Sequence, residues 1–128
     1  MAYYLARTLD LPFEAAVART RQALQDEGFG VISEIDVAKT LKSKIGIDFR
    51  PYLILGACNP RMAYEALQIE DKVGTMLPCN VVVQGLSPSS TEVAAIDPAA
   101  SMQAIDNARL TQTAQMVGAR LRAVIKAL

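Results

Sequence analysis

Length, composition and charge limit this chain before any motif does: 128 residues make one domain of ordinary size, long enough for folding to bury roughly two-thirds of the surface exposed by the unfolded chain. Thirteen basic residues balance thirteen acidic ones and tryptophan is absent, so there is neither a global field for a phosphate backbone nor much material for a base-stacking platform, and a nucleic-acid partner is not expected. Histidine is absent too, which excludes Ser-His-Asp and Cys-His mechanisms, His-bearing zinc sites and imidazole switches.

Tyr3 to Leu9 carries β-favouring residues, and Asp10-Leu11-Pro12 supplies a turn into a helix on Phe13, Val17, Thr20 and Leu24, stopped at Gly28. Phe29 to Ile35 reads as the second strand, and Asp36 caps a helix on Val37, Leu41 and Ile45 that ends at Gly46. Pro51 to Cys58 is almost continuously apolar, as a covered strand requires, and Asn59-Pro60 then forms the N-cap and first turn of a helix running to about Ile69. Lys72 to Pro78 leads back to a β-branched strand over Cys79 to Gln84, a loop over Leu86 to Ser90, and a strand over Thr91 to Ile96 that completes a hairpin. After Asp97-Pro98 comes a closing helix on Leu110, Ala114, Val117, Leu121, Val124 and Leu128. The order βαβαβαββα predicts an α/β domain of the mixed α+β kind, spanning residues 1–128. A two-layer mixed sheet of about five strands would pack with three or four helices.

The Leu110 to Leu128 stripe fits either a dimer seam or a helix covering a sheet, and the second needs no partner. Glu34, Asp36, Asp97 and Asp106 lie beside predicted turns, where capping accounts for most of them. No apolar run approaches the ~20 residues of a bilayer span, and no charged-then-apolar leader opens the chain. Two cysteines in this setting read as reduced thiols of a soluble cytoplasmic protein.

Each cysteine is followed by asparagine, in Gly56-Ala57-Cys58-Asn59-Pro60 and in Leu77-Pro78-Cys79-Asn80-Val81. Both pairs lie at strand ends, where folds commonly present side chains to ligands. A helix start at Asn59 would aim backbone N–H groups at Cys58 and lower its thiol pKa. Such a thiol suits a nucleophile or sulfur carrier, a reversible disulfide with Cys79, or a ligand for a soft metal such as Cu(I). Two cysteines alone do not complete a tetrahedral zinc site, and the bland alternative makes both of them small core hydrophobes. If the two strands run parallel, the thiols fall roughly 15–20 Å apart. If antiparallel, the Cα atoms can approach the ~6 Å of a bridge. Lys39, Lys42, Lys44, Arg50 and Arg61 can form a cationic rim near this strand, or simply a solvated face.

Lys42-Ser43-Lys44, Tyr52 to Pro60, Ala63, Ala66 and Leu67, Leu77 to Val83, and Ile96-Asp97-Pro98 before a closing helix together resemble the bacterial domain of unknown function 302 family over nearly the whole chain. That resemblance implies a compact α/β homodimer and carries over neither catalytic residues nor a cofactor. The residues favour a cytoplasmic binding module that takes a small ligand or a soft metal at Cys58, Asn59, Cys79 and Asn80. A thiol-dependent redox or sulfur-handling enzyme using Cys58 is the first alternative, and an interaction domain with inert core cysteines is the second. No membrane partner is expected.

Overall fold

In the computed structural model, which describes residues 2–128, β1 (Tyr4–Leu9) turns at Pro12 into α1 (Phe13–Asp26), and β2 (Gly30–Asp36) passes directly into α2 (Val37–Ile45). β3 (Tyr52–Cys58) is followed by α3 (Pro60–Ile69) and a 3-10 helix over Asp71–Met76. β4 (Cys79–Ser87) and β5 (Ser90–Ile96) form the expected hairpin, and α4 (Pro98–Ser101) and α5 (Ala108–Ala127) close the chain. The caps act where the sequence places them. Asp36 accepts from the Lys39 N–H at 2.9 Å, and Gly46 ends α2 at a φ of 68°, a left-handed conformation that costs glycine little. At α5 the cap is Asn107, which accepts from Arg109 and Leu110, rather than the neighbouring Asp106.

One sheet joins all five strands in the order β1-β5-β4-β3-β2. Every pairing is antiparallel, so the sheet is not mixed in direction as expected. The reason is that α2 and α3 each return the chain beside the strand it has just left. A parallel neighbour would require a crossover to the sheet's starting end.

α1 and α5 cover one face. Leu53, Leu55, Val81, Val83, Val93 and Ala95 point into this layer and meet Ala16 and Leu24 of α1 and Leu121, Val124 and Leu128 of α5. The stripe on α5 is therefore consumed by the core, as the sheet-covering reading expects. Arg7 fastens the layer at its edge by donating to the Lys126 carbonyl at 2.9 Å, where the helix end carries partial negative charge. A second, smaller cluster of Ala66, Val73, Met102, Leu110 and Ala114 joins α3, the 3-10 helix and the start of α5 beyond the sheet's end. No helix among the described residues is long and apolar enough to cross a membrane.

Candidate functional site

The main core and the smaller cluster do not merge completely where β3 and β4 meet α3 and α5. A cavity of about 30 Å³ remains there, two to three times the ~10–15 Å³ that one water needs. Cys58, Asn59 and Cys79 border it, together with Met62, Met102 and an apolar wall that includes Phe29, Leu110 and Val117.

Antiparallel pairing places both cysteines at the same end of the sheet, with Cys79 opposite Ala57. Cys58, the last residue of β3, is thus one position out of register with Cys79, and both border the cavity. Both thiols are free.

Asn80 occupies the opposite sheet face from Cys79. Cys79, Val81 and Val83 are buried inward while Asn80 is exposed, and it borders a different recess with Tyr4 and Val82. The four residues singled out in the sequence therefore divide into three at the cavity and one on the far face. Asn59 acts on the backbone. Its Oδ1 accepts from the Met62 N–H at 3.2 Å, capping α3 and fixing Met62 beside the cavity.

The candidate cationic rim is dispersed, as the solvated-face reading has it. Lys42 pairs with Asp48 at 2.8 Å, and Arg50 lies over the Phe49 ring at 4.4 Å while donating to Gln84. Arg50 and Arg61 flank opposite ends of β3, which a strand of this length holds about 20 Å apart.

Among the described residues, no side chain bordering the cavity is ionisable apart from the two cysteines, and the polar ones have partners: Thr113 donates to the Arg109 carbonyl at 3.2 Å. General acid–base chemistry has no neighbouring carboxylate, lysine or tyrosine to work with there. Among the described residues no three His, Cys, Asp or Glu side chains gather in a metal-binding group. The soft donors are distributed differently, as two cysteines and two methionines around one apolar space. Met62 was legible only as a member of a helix face, and Met102 had no signal beyond the Asp97-Pro98 helix start four residues before it.

Burial pushes the Cys79 thiol up from 9.0 to about 11, and the adjacent Cys58 adds to the rise. Between those values the folded chain holds a proton that the unfolded chain has released, so stability falls as pH rises. The contribution is complete below pH 9.0 and gone above about pH 11, and amounts to about 2–3 kcal/mol. Urea titrations of the wild type and of Cys79→Ala from pH 8.5 to 11 should show the stability difference between them shifting by that amount toward the variant. A constant difference would show that Cys79 does not titrate in this way.

The model of the family described as domain of unknown function DUF302 matches residues 5–128. A crystal structure of an uncharacterised conserved DUF302 protein from Bacillus stearothermophilus is 27% identical to this chain, covers 99% of it and 98% of its own length, and superposes with a TM-score of 0.90. Curated protein sequences provide no match. With every helix, both Cys-Asn segments and all but the first residue of β1 inside the matched range, the chain belongs to the DUF302 family.

Proposed function

We propose that this DUF302 domain is a binding module for a soft monovalent metal ion, with Cu(I) the chemically favoured occupant of the cavity at the end of β3 and β4. The observation that carries this reading is the lining itself: two cysteines and two methionines border one small, otherwise apolar space. Soft sulfur donors select Cu(I) over hard cations. The volume of about 30 Å³ suits an ion or one or two small molecules and is too small for an organic ligand.

Charge balance assigns the roles. A cation with two thiolates would leave a net negative charge in an apolar cavity, whereas one thiolate with thioethers leaves none, and burying uncompensated charge is costly. Cys58 is the more exposed thiol and would bind the ion as a thiolate, its proton released to solvent. Cys79 is almost fully buried and stays protonated as a polarizable wall. Met62 and Met102 supply the neutral sulfurs. A reducing cytoplasm suits both free thiols and the Cu(I) state.

Anaerobic titration of the protein with Cu(I) against a chromogenic Cu(I) chelator tests this. One ion should bind per chain with release of one proton. Cys58→Ser should abolish binding, and Met62→Leu, a volume-conserving change, should weaken it at least tenfold. Equal competition by wild type and Cys58→Ser would refute the reading.

A further inference from the structure

The sheet face opposite α1 and α5 holds a recess of about 360 Å³, separate from the thiol cavity and within the ~300–1,000 Å³ range of small-molecule sites. Strand register builds it in three rows. Tyr52, Gln84 and Glu92 stand side by side across β3, β4 and β5, Val82 and Ala94 form the next row, and Tyr4 stands beside Ile96 in the third. Residues two apart on a strand share a face, so the Glu92 row and the Ile96 row, four residues apart, lie ~14 Å from each other with a small apolar floor between them. Tyr3 and Tyr4 border the far end with their rings edge to face, 5.1 Å between centroids.

Glu92 is half-buried and is the one charged residue bordering the recess, and among the described residues it forms no ion pair. It ends a hydrogen-bond relay instead. Arg50, seated 4.4 Å over the Phe49 ring, donates from Nε to Gln84 Oε1 at 2.8 Å, and Gln84 Nε2 donates to Glu92 Oε1 at 3.1 Å. The relay fixes which way the Gln84 amide faces and holds the carboxylate in place, while its charge is left without a neighbouring cation. A charge in such surroundings is stabilised by an opposite charge that also hydrogen-bonds to it. Tyrosine rings attract cations and pack against flat apolar groups. We propose that this recess binds an organic monoammonium ion with a flat aromatic body, its N–H groups donating to Glu92 and its ring lying over Val82 and Ala94 toward the tyrosine end. An anion would meet Glu92 with no cation bordering the recess to offset it, and a metal ion would find a single carboxylate. The span of ~14 Å between the end rows leaves room for an arylethylamine.

Tryptamine is the probe, because the protein has no tryptophan and indole fluorescence then reports the ligand alone. Its anisotropy should rise and saturate at one site per chain as the full-length protein is titrated to ~1 mM. Tryptophol, which carries a hydroxyl in place of the ammonium, should bind the wild type at least about tenfold more weakly, the worth of one charge-assisted hydrogen bond. Glu92→Gln should weaken tryptamine by a similar factor and leave tryptophol nearly unchanged, and Cys58→Ser should leave tryptamine binding as it is. The two-ligand comparison uses the wild type, so it decides the matter even where a variant fails to fold. No saturable binding up to ~1 mM protein overturns the proposal, as does equal affinity for tryptamine and tryptophol. Tryptamine binding that survives Glu92→Gln, or that is lost in Cys58→Ser, overturns it too.

Discussion

Gly56→Ala is expected to destabilise the protein by about 2–3 kcal/mol, the upper part of the range for forcing atoms into a packed site. Gly56 lies on β3, an inner strand of the sheet, and a methyl group there would collide with the Ser33 hydroxyl and come within 2.7 Å of the Pro78 ring. The two obstacles differ in how they can yield. Ser33 follows a register shift in β2 and can turn its hydroxyl away, whereas the pyrrolidine ring of Pro78 has no rotamer to change. Ser33→Ala in the Gly56→Ala background should therefore recover part of the loss and never all of it, because the Ser33 Cβ stands at an ordinary 3.4 Å while the proline contact remains. Gly74→Ala, with nothing within 4 Å of the added carbon, is the control and should stay within about 0.5 kcal/mol of wild type. Urea midpoints of the four proteins decide the matter. A loss below about 0.5 kcal/mol for Gly56→Ala would show that β3 shifts freely against its neighbours.

Leu110→Ala should cost about 2–5 kcal/mol, the usual range for truncating a fully buried leucine. Leu110 is 1% exposed, packs with Val73, Met102 and Ala114, and borders the cavity beside the thiols. Its removal deletes apolar burial and enlarges an existing space, and the helices around that space relax only partly. The variant also separates packing from ligation. Leucine has no donor atom, so Cu(I) affinity measured well below the unfolding transition should remain within about threefold of wild type, in contrast to Met62→Leu. If Leu110→Ala weakens Cu(I) as much as Met62→Leu does, the methionine effect is one of packing and the thioether role fails.

Much of this structure was legible from local signals. Asn59-Pro60 and Asp36…Gly46 delimit α3 and α2 because a cap is a contact between residues two to four apart. The α5 stripe and the apolar run of β3 likewise report burial through periodicity alone. The short 3-10 helix over Asp71–Met76 and the four-residue α4 are too brief for any periodicity to show. The separation of Asn80 from Cys79 was in principle readable, since Cys79, Val81 and Val83 alternate with Asn80 and Val82. Repetition of the Cys-Asn pair obscured that alternation.

Caps, turns and the inward side of each strand follow from sterics and hydrogen bonds within a few residues, so the chain carried α+β architecture, strand number and the Cys58–Asn59 strand-to-helix corner in its own order of residues. Strand order is a different kind of quantity. Whether β3 lies against β4, in which direction, and with Cys79 opposite Ala57 and not Cys58, depends on how α1 and α5 close over one face of the sheet between residues far apart in the chain. No local pattern encodes that choice, because a one-residue slip leaves every propensity unchanged while moving each side chain to the other face. Long-range packing set the register, and with it the gathering of Cys58, Cys79, Met62 and Met102 at one cavity.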